Sequence, residues 1–209
     1  MDIPVPAKFA KLFSSLTSNR DLIFPYLKTS IISGRNPVDV GMPWWSFRAM
    51  QRAANELAGK RIFEYGTGGS TVRYAGIAES IKCVEDDPLW ADLVMHRLRE
   101  QRKVNVEIAV HPFDFDHPID FELSDYANEV KKYPDVDVVI IDGQDKTFNE
   151  RVTLFKLVEP QMRAGGIIIL DDFWRYEGRV NSGLSKKMEV LESVGPCRYG
   201  VTSTAFFYY

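Results

Sequence analysis

The stretch RIFEYGTGGST, residues 61–71, joins a short apolar run to a turn that is rich in glycine. Ile62, Phe63 and Tyr65 are typical of a buried strand, and glycines after a strand let the backbone turn sharply and approach a ligand closely. A plain connection between a strand and a helix would tolerate the same glycines. The rest of the chain therefore has to decide whether this turn is a ligand site.

The composition is that of an ordinary globular protein. The chain has 209 residues, of which 45% are hydrophobic and 26% are charged, and it is long enough to bury a substantial core as one domain. Its 26 basic residues stand against 29 acidic ones, for a formal net charge of -3. No positive excess is therefore available to neutralise a nucleic-acid backbone. The longest apolar runs, such as GGIIIL, are far shorter than the roughly 20 residues that cross a bilayer.

These observations lead us to expect neither a nucleic acid nor a membrane as a partner. The N-terminal residues MDIPVPAKFAKLF lack the uninterrupted apolar core of a secretory signal, so a cytoplasmic location is expected. Cys83 and Cys197 stand far apart and have no zinc-ligand spacing, and both are expected to be small buried hydrophobic residues.

Predicted strands alternate with predicted helices along the chain, which indicates βαβ units and a parallel sheet. The strands are predicted at residues 61–65, 81–85, 104–109, 136–141, 166–170, 197–201 and 204–208. The helices are predicted at residues 6–18, 43–58, 70–78, 88–101, 120–132, 147–163 and 183–193. The whole chain, residues 1–209, is expected to form a single domain. Residues 1–58 would be a helical lid, with residues 1–42 over the carboxyl edge of the sheet, and residues 59–209 would be the catalytic core.

Acidic residues follow five successive predicted strands. In a parallel sheet, ligands bind in the crevice outside the carboxyl ends of the strands, so acids there suggest a polar cleft. Turn formation and helix capping would place some of them without any ligand, and Asp87 before Pro88 is most simply a helix cap. The acids are Glu64, Glu85, Asp86, Asp87, Asp114, Asp142, Asp171 and Asp172.

Glu85 lies 19 residues beyond Gly66, at the end of the second predicted strand, where an acid can accept hydrogen bonds from ribose hydroxyls. Both a nicotinamide dinucleotide and S-adenosylmethionine carry such a ribose. The dinucleotide pattern G-x-G-x-x-G has a third glycine where this chain has Thr71. Glu64 would repel a doubly charged pyrophosphate but could stabilise the positive end of S-adenosylmethionine. The pattern therefore favours the methyl donor.

The chain resembles the class I S-adenosylmethionine-dependent methyltransferases over about residues 61–175. The resemblance rests on four motifs in order along the chain, FEYGTGGST, CVEDDPLW, VVIIDG and AGGIIILDDFW. It implies a seven-stranded, mostly parallel, doubly wound sheet, the Rossmann-like methyltransferase fold, with an antiparallel last strand. The segment GVTSTAFFYY, residues 200–209, looks like the closing hairpin of such a sheet.

The same resemblance implies roles for individual residues. Glu64 and the glycine turn would surround the amino-acid part of the donor, Glu85 would hold the ribose, and Asp114 would contact the adenine amine. Asp142 would border the methyl-transfer cleft. The full set of implied donor-binding residues is Glu64, Gly66, Thr67, Gly68, Gly69, Ser70, Glu85, Asp86, Asp114 and Asp142.

The acceptor is predicted to be an oxygen of a small molecule or of a sugar-like substrate. Family members that methylate amino groups of nucleic acids and of glutamine carry an NPPY-like motif after the fourth strand, where this chain has IDGQDK. Two other functions stay open. One is a nicotinamide-dependent oxidoreductase on the same fold, and the other is a non-catalytic protein that keeps the nucleoside site as a sensor.

Three aspartates, Asp142, Asp171 and Asp172, are the candidate catalytic residues. They end neighbouring predicted strands about 4.8 Å apart, so their carboxylates can converge. Such a set could hold Mg²⁺ and resembles the acidic cluster of metal-dependent O-methyltransferases. Lys146 could instead neutralise the acids, and the acids could contact donor or substrate directly. We favour the version without a metal and predict that Asp142 and Asp171 are needed for activity.

Two aromatic motifs flank the predicted cleft. PWWSF, residues 43–47, begins an amphipathic helix, where aromatic side chains belong to the core more often than to a pocket wall. FWRY, residues 173–176, follows the fifth predicted strand and is better placed to touch a substrate, although core packing would explain it equally well.

Overall fold

The computed structural model describes residues 5–32 and 36–209, and one seven-stranded sheet runs through it. The strands are β1 (Arg61–Tyr65), β2 (Ser80–Glu85), β3 (Val106–Val110), β4 (Val138–Ile141), β5 (Ile167–Leu170), β6 (Lys187–Val194) and β7 (Val201–Tyr208). Their order is β3-β2-β1-β4-β5-β7-β6, and β7 runs antiparallel to β5 and β6. The predicted sheet with its antiparallel last strand is confirmed.

Helices cover both faces of this sheet. They are α1 (Val5–Ser18), α2 (Ile23–Tyr26), α3 (Pro37–Val40), α4 (Phe47–Glu56), α5 (Gly69–Tyr74), α6 (Pro88–Glu100), α7 (Asp125–Asn128) and α8 (Glu150–Val158). A π-helical turn spans Leu27–Ile32, and five 3-10 turns lie at Arg20–Leu22, Phe121–Leu123, Glu129–Lys132, Glu159–Gln161 and Phe173–Arg175.

Two hydrophobic cores lie on opposite faces of the sheet, because successive side chains of a strand point to opposite sides. In β4, Val138 and Ile140 belong to the core beneath α4, α5 and α6, whereas Val139 and Ile141 belong to the core beneath α7 and α8. All four side chains of β4 are buried, as a continuous apolar run predicts for a strand covered on both faces.

The predicted helix at residues 183–193 is wrong, because Lys187–Val194 forms β6 and pairs with β7. The predicted strand at residues 197–201 is wrong as well, since most of it lies in the connection between these two strands. Lysine and glutamate in β6 favour a helix intrinsically, but β6 is an edge strand, where charged residues face water and pairing decides the conformation.

The predicted helix at residues 43–58 begins only at Phe47. The hydroxyl of Ser46 accepts a hydrogen bond from the backbone N–H of Ala49 at 3.0 Å and caps the helix there. The predicted helices at residues 120–132 and 147–163 are shorter than expected and are interrupted by 3-10 turns.

The N-terminal segment contacts two different parts of the sheet. Helix α1 packs against β6 and β7, whereas Pro37, Pro43 and Trp44 border the cavity at the carboxyl edge. Residues 1–4 and 33–35 of the expected lid lie outside the described residues. Over the part of the chain that is described, no helix combines the length and the apolar character that a membrane span requires.

Gly195 allows the end of β6 to pack against the segment before α4. A Cβ atom at this position would lie only 2.2 Å from the carbonyl oxygen of Trp45. We therefore expect Gly195→Ala to lower the free energy of unfolding by about 1–3 kcal/mol, measured by urea denaturation. Gly183→Ala is the matched control, because no atom lies within 4 Å of a Cβ there. Equal stability of the two variants would contradict the close contact.

Candidate functional site

A cavity of about 680 Å³ opens at the carboxyl ends of β1, β2, β4 and β5. Ten of the twelve residues predicted for the site line it, and they come from the glycine turn and from the acids at the strand ends. They are Gly66, Thr67, Gly68, Gly69, Ser70, Glu85, Asp86, Asp142, Asp171 and Asp172. The other two, Glu64 and Asp114, do not line it.

The glycine turn after β1 has two distinct properties. Gly66 has a φ of 81°, and a Cβ atom there would lie 2.8 Å from the Cα of Gly143, so the turns after β1 and β4 touch through their backbones. A Cβ atom at Gly68 would meet the ring of Trp90 at 3.8 Å, which is an ordinary contact distance. The turn therefore offers bare backbone to whatever occupies the cavity.

Glu64 lies beneath the turn, where it is only 1% exposed. Its carboxylate accepts hydrogen bonds from the hydroxyls of Ser70 and Thr71, the latter at 2.7 Å. Burial raises the pKa of Glu64 to about 8, although these hydroxyls partly offset the effect. The predicted contact between Glu64 and the donor does not fit this arrangement, because both carboxylate oxygens are used to hold the turn and the start of α5.

Glu85 holds the same turn from the side of β2. Its Oε2 accepts hydrogen bonds from the backbone N–H and the hydroxyl of Thr67, both at 2.8 Å. Its Oε1 accepts hydrogen bonds from the backbone N–H groups of Asp86 and Asp87, at 2.9 and 3.1 Å. These four donors match the four acceptor positions of a carboxylate, so a ribose hydroxyl can bind Glu85 only by taking the place of one of them.

Asp86 is the neighbouring acid of the cavity wall. Burial and the charge of Glu85 raise the pKa of Asp86 to about 7. Trp90 closes this side of the cavity, and its indole N–H donates to the carbonyl oxygen of Thr67 at 2.7 Å. Asp87 caps α6, as predicted, by accepting from the backbone N–H groups of Leu89 and Trp90.

Asp114, predicted to contact the adenine amine, lies away from the cavity. Its side chain is 64% exposed and accepts hydrogen bonds from the backbone N–H of Asp116 and from the ring of His117. This local turn after β3 directs the carboxylate to solvent, so Asp114 does not face the cavity in this conformation, and its contact with the adenine amine stays a prediction. Lys146 is also away from the cavity, where it pairs with Asp116 at 2.6 Å.

The three aspartates after β4 and β5 do converge on the cavity, each with its own partner. Asp142 accepts a hydrogen bond from the indole N–H of Trp45 at 2.9 Å and pairs with a guanidinium nitrogen of Arg151 at 3.2 Å. Asp171 accepts from the hydroxyl of Thr204 at 2.6 Å. Burial raises the pKa values of Asp142 and Asp171, and for Asp171 the neighbouring negative charges add to the effect.

Asp172 differs from the other two because a cation lies against it. Its Oδ1 accepts hydrogen bonds from Arg198 at 3.0 Å and from the hydroxyl of Thr202 at 2.8 Å. Burial would raise the pKa of Asp172, but the charges of Arg198 and Arg151 outweigh burial and lower it.

Arg151 and Arg198 are site residues that the sequence analysis missed. Arg151 is buried and donates to the carbonyl oxygens of Gly143, Asp142 and Asp171 at 2.8–3.1 Å, which ties the loops after β4 and β5 together. No local motif marks either arginine. Arg151 has the appearance of an ordinary helix residue in α8, and Arg198 lies in the connection whose structure was predicted wrongly.

Arg151 and Arg198 also affect whether the three aspartates could bind a metal ion. Within residues 5–32 and 36–209, no group of three or more His, Cys, Asp or Glu side chains is arranged to hold a metal ion. A divalent ion at the three aspartates would have to compete with the guanidinium groups on Asp142 and Asp172. The residues therefore do not fit a metal site in this arrangement.

The aromatic motifs divide between core and cavity. Trp45 and Tyr176 are fully buried, as the core interpretation predicts. Trp44 is half exposed and lines the cavity, and Trp174 is exposed beside it. The phenylalanine of each motif is buried as well, so each motif contributes two aromatic side chains to the core and one exposed tryptophan.

Known proteins resemble this chain in their structures rather than in their sequences. No family model matches the chain, and no curated protein sequence matches it. A protein of Klebsiella pneumoniae assigned as an O-methyltransferase is 18% identical, covers 94% of this chain and 98% of its own, and has a TM-score of 0.59. The O-methyltransferase TomG of Streptomyces achromogenes, involved in tomaymycin synthesis and solved with S-adenosylmethionine, is 14% identical and covers 97% and 99%, with a TM-score of 0.54.

An rRNA methylase of Streptococcus thermophilus is 9% identical and covers 77% of this chain and 93% of its own, with a TM-score of 0.55. The chain therefore has the Rossmann-like fold of the class I S-adenosylmethionine-dependent methyltransferases, as the resemblance predicted. Since proteins with different acceptors share this fold, the acceptor has to be argued from the site.

The buried Glu64 predicts a dependence of stability on pH. Its pKa is about 8 in the folded protein, against 4.5 for an ordinary carboxyl group. Between these values the folded state holds a proton that the unfolded state has lost, so the free energy of unfolding falls as the pH rises. Glu64→Gln has no such proton. Its stability relative to the original chain is expected to increase between pH 5 and pH 8, by at most about 1.4 kcal/mol per pH unit.

Urea denaturation at pH 5, 6.5 and 8 measures this difference. Glu79→Gln is the control, because Glu79 is exposed and its replacement should leave the pH profile unchanged. A profile of Glu64→Gln parallel to that of the original chain would contradict the raised pKa.

Proposed function

We propose that the chain is an S-adenosylmethionine-dependent methyltransferase that transfers a methyl group to an oxygen of a small molecule. The observation that carries this proposal is the surplus of acids in the 680 Å³ cavity. Six acids line it against three arginines, and the acids are Glu85, Asp86, Asp87, Asp142, Asp171 and Asp172. Although burial raises the pKa of Asp86, Asp142 and Asp171, a wall rich in carboxyl groups favours a ligand with a sulfonium and an ammonium group over a dinucleotide with a negatively charged pyrophosphate.

The backbone of the turn supports the same choice. In dinucleotide-binding proteins, free N–H groups at the start of the following helix hold the pyrophosphate. Here the N–H of Gly68 donates to the hydroxyl of Thr71 at 3.0 Å, and the N–H of Thr67 donates to Glu85. These donors are already used within the protein and are therefore not free to hold a pyrophosphate.

Different residues of the cavity would bind different portions of S-adenosylmethionine. The part of the cavity beside the glycine turn would take the amino-acid part, and Glu85 with Asp86 would face the ribose. When bound, S-adenosylmethionine supplies a methyl group on a positively charged sulfur, and transfer forms an O–CH₃ bond as the S–CH₃ bond breaks. The contribution of the protein is to orient the acceptor oxygen and to exclude water.

Oxygen is favoured as the acceptor atom by two observations. The sequence has IDGQDK after β4 instead of an NPPY-like motif. The two O-methyltransferase structures cover 94% and 97% of this chain, whereas the rRNA methylase covers 77%, so the likeness in fold extends over more of the chain in the former.

The deciding experiment is titration calorimetry of the purified protein with S-adenosylmethionine and, separately, with NAD. We expect binding of S-adenosylmethionine and no measurable binding of NAD. Preference for NAD would overturn the proposal in favour of an oxidoreductase. Binding of the donor without turnover on any member of a panel of hydroxylated acceptors would point to a sensor instead.

Glu85→Ala is expected to weaken donor binding by about 1.5–3 kcal/mol, the range for a hydrogen bond that involves a charged group. Thr67→Val is the matched variant, because it removes one of the four donors to Glu85 and frees that acceptor position for a ribose hydroxyl. We expect Thr67→Val to keep or improve the affinity measured by calorimetry. If Glu85→Ala is folded and binds the donor unchanged, Glu85 is only a support of the turn.

Asp142→Asn is expected to lower the rate of methyl transfer by at least about tenfold, because it removes the charge that faces Arg151 at the edge of the cavity. Transfer is measured with isotopically labelled donor, and the exposed Asp135→Asn is the control. Activity of the original chain is expected to persist in EDTA, since Arg151 and Arg198 supply the positive charge at the aspartates. Full activity of Asp142→Asn would remove its catalytic role.

A further inference from the structure

A second cavity, of about 540 Å³, lies beside the first, between α1 and the segments that contain Trp174 and Tyr199. Arg198 and Tyr199 line both cavities, so the two spaces adjoin at these side chains. None of the residues predicted to bind the donor lines the second cavity. It is therefore placed to receive a molecule that reaches toward the donor site without overlapping it.

Three aromatic side chains face this second cavity. Phe9 is 66% exposed, Trp174 45% and Tyr199 81%, which is unusual for large apolar groups that lie close together. They come from α1, from the 3-10 turn after β5 and from the connection between β6 and β7. Aromatic faces arranged in this way bind a flat aromatic ring through stacking and edge contacts.

The charged groups of the second cavity have a positive excess. Lys8, Lys11 and Arg198 line it against a single acid, Glu177. Lys11 pairs with Glu192 at 2.7 Å and Arg198 pairs with Asp172 at 3.0 Å, but Lys8 has no ion pair among the described residues. Lys8 is therefore the cation that favours an occupant with a negative charge over a neutral one.

Arg198 provides the more specific element. One of its terminal nitrogens, Nη1, donates to both Asp172 and the carbonyl oxygen of Trp44, at 3.0 and 2.9 Å, which fixes the position of the guanidinium group. The other edge, Nε and Nη2, has no hydrogen-bond partner in residues 5–32 and 36–209. It has the geometry that binds a carboxylate through two parallel hydrogen bonds.

We propose that the second cavity is the acceptor site and that the acceptor is an aromatic compound that carries a hydroxyl group and a carboxylate. This inference rests on the proposed methyltransferase function and names the substrate class for it. The ring lies among Phe9, Trp174 and Tyr199, and the carboxylate binds Arg198 or Lys8. The hydroxyl points past Tyr199 into the first cavity.

A phenolic hydroxyl suits the chemistry of the site. Among the described residues, no histidine lines either cavity. A phenol has a pKa near 10 and releases its proton more readily than an alcohol, so it depends less on a general base. In the transfer its oxygen gains the methyl group, the bond between sulfur and that methyl breaks, and the phenolic proton passes to water.

The test uses two probes of the same size, 3,4-dihydroxybenzoate and the uncharged 3,4-dihydroxybenzamide. Each is titrated into the protein saturated with S-adenosylhomocysteine, which prevents turnover. We expect the benzoate to bind at least about tenfold more tightly, as a charge-assisted hydrogen bond to arginine provides. Arg198 itself is not replaced, because it also holds Asp172.

Variants of α1 locate the probe. Phe9→Ala is expected to weaken benzoate binding about threefold to tenfold through loss of the aromatic contact, and Lys8→Gln about twofold to fivefold. Phe13→Ala is the matched control, because Phe13 is equally exposed on the same helix and does not line the cavity. The affinity for S-adenosylmethionine should be unchanged in all three variants.

Equal binding of the two probes, or benzoate binding that Phe9→Ala and Lys8→Gln leave unchanged, would overturn the inference. So would self-association of the chain that Phe9→Ala abolishes, because the cavity would then be an interface between two copies. Failure of the original chain to bind S-adenosylmethionine would overturn the proposed function instead, and the separate donor titration distinguishes these results.

Discussion

The carboxyl edge of the sheet depends on the buried guanidinium group of Arg151. It donates to backbone carbonyls of the loops after β4 and β5 and pairs with Asp142. Without it, Asp142 would lose its cationic partner and lie near Asp171 in a region from which water is largely removed, and uncompensated buried charge is among the most costly arrangements in a protein. The position of the turn after β4 also sets how closely that turn approaches Gly66. One side chain of α8 therefore fixes the shape of the cavity wall and its charge together.

The acids at this edge divide into those that build the site and those that face its contents. Glu64 and Glu85 each accept hydrogen bonds from the glycine turn, one from beneath and one from the side. Asp86, Asp142 and Asp172 line the cavity and are partly exposed, whereas Glu64 is buried beneath the turn. An acid next to a glycine turn can thus define the backbone of a ligand site without itself touching the ligand, and the sequence alone does not separate these two roles.

The parts of the fold that the sequence predicted well are those in which local pattern and burial agree. VVII and IIIL are continuous apolar runs because β4 and β5 are covered on both faces, and the acids after them lie at the cavity as expected. The sequence failed where distant contacts decide. KMEVLESV is helical by propensity and becomes β6 only by pairing with β7, and Arg151 reaches the site only because α8 crosses beneath two strand ends. Asp114 follows a correctly predicted strand, yet a three-residue turn with His117 directs it outward.

Strand β7 is the last strand of the sheet along the chain, yet it lies between β5 and β6. While the polypeptide is being synthesised, β6 therefore emerges before β7, the one strand to which it pairs in the part of the chain that the structure describes, and β5 keeps an open edge through the same interval. Asp171 and Asp172 also lack the hydrogen bonds from the hydroxyls of Thr204 and Thr202 until β7 has been synthesised. Nascent chains with unpaired strand edges are the forms most exposed to mispairing and to chaperone capture. In this protein, the time between synthesis of β5 and of β7 is thus the period in which newly made chains are most vulnerable.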